Sequence, residues 1–182
     1  MQTYIALFRA INVLGNNLLP MKDLKSILEK LGVEEIKTYI QSGNVVFNYT
    51  GSDITDLSKK ITAAIKRNHG FEPNVIFLKQ KDIEKTISSN PFPEGDLAPQ
   101  TLHAFFLESK PENPNLKKMD EIKTKTERYM LIDKVFYLHT PDGFGRSKLG
   151  AQTEKLLGVS ATARNWRTVN KILEMINQDN LK

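Results

Sequence analysis

The sequence predicts an α+β fold made of two ferredoxin-like, split βαβ halves, with antiparallel sheets and helices packed on one face. Three observations predict it. Apolar periodicity over the first 80 residues runs β-α-β-β-α-β, the order of a split βαβ unit. The stretch Ile36–Tyr49 holds two β-rich runs around Ser42-Gly43, a dipeptide suited to a hairpin because glycine tolerates positive φ. From Thr101 onward the pattern β-α-β-β-α-α echoes the first half without repeating its residues. The expected division is residues 1–80 and 81–182, forming one compact unit with a connector at about 90–100.

Each element has its own warrant. Thr3–Arg9 alternates as a strand, and Ala10–Leu19 follows as an asparagine- and glycine-rich loop. Pro20 opens a helix carrying Met21, Leu24, Ile27, Leu28 and Leu31 at helical spacing, which Gly32 closes. If Ser42-Gly43 is a two-residue turn, Gln41 faces Asn44, Ile40 faces Val45, Thr38 faces Phe47 and Ile36 faces Tyr49. One face is then Ile36, Thr38, Ile40, Val45, Phe47 and Tyr49, a core face. The other, from Lys37 to Asn48, is mixed and polar, and a one-residue slip would exchange them.

Ser52 or Asp53 caps a second helix that ends at Asn68-His69-Gly70, and Asn74–Lys79 is a fourth strand. A short helix over Lys81–Ser88 leads into Asn90–Gln100, whose prolines and glycine mark an exposed connector. Thr101–Glu108 is a strand and Asn115–Lys123 a helix. Arg128–Ile132 and Val135–His139 form a hairpin turning at Asp133-Lys134. Ser147–Leu157, closed by Gly158, and Asn165–Asn177 are helices, and Gln178–Lys182 is expected to fray.

Composition narrows function by exclusion. The chain is 40% hydrophobic and 26% charged, which fits a soluble, cytoplasmic globular protein. It has no apolar run long enough to span a membrane and no signal-peptide pattern. The absence of cysteine removes disulfides, thiolate metal sites and a cysteine nucleophile. His69, His103 and His139 lack ligand-like spacing, so neither a metal nor a cofactor site is expected. A net charge of +5 is compatible with attraction to phosphates, but lysines scattered or set beside acids, as in Lys22-Asp23 and Lys81-Asp82, favour an ordinary solvated surface.

Three stretches could carry chemistry. Asp142–Lys148, DGFGRSK, places two glycines, Arg146, Ser147 and Lys148 where a helix begins, which suits an anion. It lacks the Walker A pattern, and a plain turn with a serine cap explains it too. Ser160–Asn170 joins Arg164, Asn165 and Arg167 to the only tryptophan. Trp166 shares a stripe with Val169 and Ile172 and is expected in the core, with Thr162 as the helix cap. Arg9 and Asn12, with the hairpin tip Gln41, Ser42 and Asn44, form a third group if their loops share one end of the sheet. Nothing in the spacing supports a catalytic nucleophile, and His139 alternates as a strand residue would.

Four segments, FRAINV with Gly15-Asn16, TYIQSGNVVF, GFGRSKL and ATARNWRTV, together resemble a bacterial family, number 1697 of the domains of unknown function. That family usually carries R-G-[IV]-N-V-G-G in the first segment. Here Ala10 and Leu14 replace two glycines, and Asn17 stands where lysine is common. The resemblance implies an intracellular bacterial protein of two ferredoxin-like halves and carries no activity with it. Its polar positions, including Arg9, Asn12, Gln41, Ser42, Gly43, Asn44, Arg146, Ser147, Lys148, Arg164, Asn165 and Thr168, point to a shared ligand surface.

Three functional readings follow. The first is a binding module for a phosphate-bearing ligand, either a nucleotide or single-stranded nucleic acid. The second is a homo-oligomeric or partner-binding protein, since sheet edges are ready pairing surfaces. The third is an enzyme on a small anionic substrate with Ser147 or Lys148 near the chemistry.

Overall fold

The computed structural model describes residues 1–13 and 15–178, so the expectations for Leu14 and for the last residues from 179 lie outside it. The chain divides into two compact units. One takes Met1–Glu84 together with the chain from Lys171, and the other takes Lys85–Asn170. This differs from a division at residue 80 in where the C-terminal chain goes.

In the first unit, β1 (Gln2–Phe8), α1 (Met21–Lys30), β2 (Glu34–Tyr39), β3 (Asn44–Tyr49), α2 (Ile54–His69) and β4 (Val75–Lys79) build an antiparallel sheet of order β2-β3-β1-β4. Strands β1 and β3 occupy its centre, as in the ferredoxin-like arrangement. Alternation sends Tyr4, Ala6, Phe8, Val45 and Phe47 to one face, where Leu24, Ile27 and Leu28 of α1 and Leu57, Ile61 and Ile65 of α2 close the core. Asp53 caps α2 through Thr55 and Asp56 N–H, and Gly70 ends it at φ +80°.

The hairpin register differs from the expected one. Tyr39 pairs with Asn44, Thr38 with Val45 and Lys37 with Val46, so the loop is the four residues Ile40–Gly43. Side chains close it, because Asn44 Nδ2 donates to Tyr39 O at 3.2 Å and to Ser42 Oγ at 2.9 Å. The shift on β2 is even, so each residue keeps its face and only its partner changes. Ile40 is the exception. It leaves the core face for the loop, at φ +49° and 57% exposed.

The opposite sheet face, mixed and polar by its residues, is buried at its centre. Val46, Ile5 and Leu7 are fully buried, and so is Asn44. Part of that cover comes from the last helix: Lys37, which shares the face with Val46, donates from Nζ to Met175 O at 2.9 Å.

In the second unit, β5 (Leu102–Leu107), α5 (Leu116–Ile122), β6 (Arg128–Ile132), β7 (Val135–His139), α6 (Lys148–Leu157) and β8 (Ala161–Asn165) give the same order, β6-β7-β5-β8. Phe105, Phe136 and Leu138 form its core with Met119 of α5 and Leu149, Leu156 and Leu157 of α6. Strand β8 was expected to be the approach to a helix. Its residues ATARN have weak strand propensity, and pairing with β5 supplies the ladder that they do not encode. The cap of α7 (Trp166–Asn177) is therefore Asn165 and not Thr162: Asn165 Oδ1 accepts from Thr168 N–H at 2.9 Å.

The connector also differs. After α3 (Gln80–Ser88), residues 90–100 fold onto the second unit around α4 (Glu94–Leu97). Phe92 is buried, a Cβ at Gly95 would overlap Leu102, and Trp166 Nε1 donates to Asp96 Oδ1 at 2.7 Å. Trp166 is fully buried, as its stripe predicts.

Candidate functional site

The residues singled out in sequence fall into two groups that the fold treats differently. In the first unit, the end of β1 and the start of β3 meet, and the loops beyond them are joined. Asn12 makes the joint. Its Nδ2 donates to Leu19 O at 2.9 Å and to Gln41 O at 2.8 Å, and its Oδ1 accepts from Leu19 N–H at 2.8 Å. Gly43 lies on β1, its carbonyl accepting from Phe8 N–H at 2.9 Å. A Cβ there would stand 2.6 Å from Phe8 Cβ and 2.7 Å from Ile11 Cδ1. Ser42 and Asn44 close the hairpin loop, and the Arg9 N–H donates to Asn74 O at 2.8 Å. Gln41 has an exposed side chain. So Asn12, Ser42 and Asn44, expected as ligand contacts, bind backbone and each other. Around them Val13, Leu18 and Ile40 are more than half exposed.

In the second unit, the turn Asp142–Lys148 is built on an aromatic stack. His103, on β5, lies against Phe144 with ring centroids 3.8 Å apart and planes 15° apart. Phe144 is also accommodated by Gly150, where a Cβ would come within 3.0 Å of its ring. A short 3-10 turn, Phe144–Arg146, hangs from this stack. Gly143 precedes it at φ +103°, Gly143 N–H donates to Thr140 O, and Asp142 Oδ2 accepts from Thr126 Oγ1 at 2.5 Å. Ser147 is buried and caps α6, its Oγ accepting from Gly150 N–H at 2.8 Å. Arg146 and Lys148, on either side of it, are exposed. At Gly145 a Cβ would meet nothing within 4 Å, and its φ is not positive. Neither space nor backbone conformation therefore requires glycine at that position.

The pair Arg164-Asn165 is split by strand alternation. Asn165 lies opposite His103 in the ladder and so shares the face of the Phe144 stack. Arg164 points to the other face, 9% exposed, with Nη1 donating to Thr162 Oγ1 at 2.8 Å and to Ala163 O at 2.9 Å. Burial brings its guanidinium down to about 10, still charged at neutral pH. It is a structural cation, not the exposed phosphate contact expected of it.

His103 is distant in sequence from Phe144, and it comes beside it only once β5 pairs with β7. Its Nδ1 is buried without a hydrogen-bond partner, and desolvation lowers the imidazole to about 4, leaving it neutral. His139 is also held below its ordinary value, by burial first and then by Arg128, whose Nη2 lies 3.3 Å from Nδ1 and also donates to Glu94 at 2.8 Å. Among the described residues, no group of three or more acidic or histidine side chains is placed to hold a metal ion. No described helix is long and apolar enough to cross a membrane.

Comparison with known proteins gives a family and a fold. The model of a family described as "Protein of unknown function (DUF1697)" matches residues 1–137. No curated protein matches the chain. Among solved structures, the conserved bacterial protein SP0830 from Streptococcus pneumoniae is similar, with a TM-score of 0.74 and 24% identity. The alignment covers 96% of this chain and 98% of that one.

Proposed function

The chain belongs to the DUF1697 family, and on that footing we propose that it is a binding module for a phosphate-bearing small ligand, seated on the Asp142–Lys148 turn. The observation that carries this reading is Gly145. With no positive φ and open space at its Cβ position, its bareness leaves the backbone uncovered next to the exposed Arg146, with the exposed Lys148 two residues further on. The positive end of a ten-residue helix favours an anion there, and the exposed Arg146 and Lys148 add attraction. A nucleotide fits better than a stacked single strand. Single-strand binders of this fold class lay bases on an open sheet face, whereas Ile5, Leu7 and Val46 in one sheet and Ala104, Phe106 and Tyr137 in the other are buried.

The test is calorimetric titration of the full chain with inorganic phosphate, a nucleoside monophosphate and triphosphate, and a thymidine oligonucleotide. Saturable nucleotide binding that weakens about tenfold in Arg146→Ala, and also in Gly145→Ala, is expected. Gly145→Ala should do so without loss of thermal stability. No binding to any of the four, or binding by both variants as tight as by the parent, would sink the reading.

A second reading, a protein-partner surface, is favoured by one observation in the first unit. Val13, Leu18 and Ile40 are exposed on loops that Asn12 ties together, and Ile40 holds the left-handed conformation that β-branched residues avoid.

A further inference from the structure

We propose that β6 is a pairing edge, and that it joins antiparallel to β6 of a second copy of this chain. The sheet order leaves β6 at one margin of the second unit and β8 at the other. Backbone polarity along β6 follows from the neighbouring bonds. Thr140 N–H donates to Thr101 O and Leu107 N–H to Lys134 O, so the even-numbered residues around β7 bond to β5 and its odd-numbered residues bond to β6. Ile132, Met130 and Arg128, opposite Val135, Tyr137 and His139, are therefore the bonded members of β6. Tyr129 and Leu131 direct their N–H and C=O groups outward.

Two of the other edges, β2 and β8, carry guards that β6 lacks. β2 is broken by an irregularity between Glu34 and Lys37, with Glu35 at φ +49°, and three of its six residues are charged. On β8, the Arg164 guanidinium bonds the outward carbonyl of Ala163. Such bulges and charges are how sheets avoid edge-to-edge association. β6 has a regular register over all five residues, RYMLI, with one charge. That charge, Arg128, is engaged with Glu94 and stands over the Phe92 ring at 5.0 Å. Met130, at the middle of the strand, is 45% exposed.

The occupant is chosen by self-complementarity. In an antiparallel pair centred on Met130, Tyr129 stands opposite the second copy's Leu131, and these are the residues whose outward groups can exchange hydrogen bonds in both directions. Arg128 then faces Ile132, so no like charges oppose, and Met130 meets its counterpart at a non-bonded position, where side chains approach most closely. One two-fold axis satisfies all three conditions, as a closed dimer requires.

Sedimentation equilibrium on the full chain tests this, with Met130→Lys and Met130→Cys as variants. The expected result is a mass that doubles with concentration for the parent and stays at one chain for Met130→Lys, which sets two ammonium groups face to face. Because the chain has no cysteine, oxidised glutathione, itself reduced in the exchange, should convert Met130→Cys to a linked pair, while Leu97→Cys, at a 91% exposed position, should not link at the same concentration. An unchanged circular dichroism spectrum separates lost pairing from lost fold. A one-chain mass for the parent at every concentration, or a doubled mass that survives Met130→Lys without Met130→Cys linkage, would overturn the proposal.

Discussion

The two units share one strand order and differ in how they use small and polar residues at their loops. In the first, Gly43 is bare because the chain must take φ +71° there and because Phe8 and Ile11 fill the space a Cβ would need. Asn12 spends its whole amide on three backbone groups. In the second, Gly145 is bare for no reason internal to the fold, and the charges beside it are exposed. Polar signature residues thus do two kinds of work within one chain. Asn12 holds loops together in one unit, Ser147 and Asn165 cap helices in the other, and there it is Gly145 that leaves backbone uncovered.

Alanine at the two glycines tests that contrast most directly. Gly43→Ala combines left-handed strain of about 1–2 kcal/mol with overpacking of about 1–3 kcal/mol, for a loss of about 3 kcal/mol or more. Gly145→Ala should instead raise stability by about 0.5 kcal/mol, by restricting the unfolded chain. Urea midpoints measure both, and similar losses at the two positions would erase the distinction between the units.

The second effect belongs to the Phe144 stack. His103 is lowered to about 4 by burial, below the 6.5 of an exposed imidazole. A depressed histidine adds stability that is fully present above pH 6.5 and lost as pH falls toward 4, because the unfolded chain takes up its proton first. The loss attributable to it is on the order of 3 kcal/mol. His103→Phe keeps the ring stack and should flatten the acid limb of a stability–pH curve over that window. His139, lowered in the same direction, leaves a residual slope. A curve unchanged by His103→Phe would show that the stack carries no such linkage.

The smallest effect sharpens the first unit. Ala10 stands at φ +54°, a conformation glycine takes without a Cβ penalty. Ala10→Gly should gain about 0.5 kcal/mol, the relief of strain being partly offset by the greater freedom of glycine when unfolded. A clear loss in a thermal melt would mean that the Cβ of Ala10 packs to more effect than its strain costs.

Periodicity alone determined most of the architecture. Seven of the eight strands among the described residues, the cap at Ser147, a cap at Ser52 or Asp53, the glycine stops at Gly70 and Gly158 and the burial of Trp166 all follow from local spacing. These are signals in which neighbouring residues report on each other. What tertiary structure decided depends on partners distant in sequence. β8 exists because β5 offers it a ladder, and the hairpin loop grows to four residues because Gly43 is drawn onto β1. The residues 90–100 fold inward because Trp166 needs an acceptor and finds Asp96. The fate of each polar signature residue was settled in the same way. Arg164 and Asn165 are neighbours in sequence, yet a strand sends them to opposite faces, and that strand forms only when the sheet does.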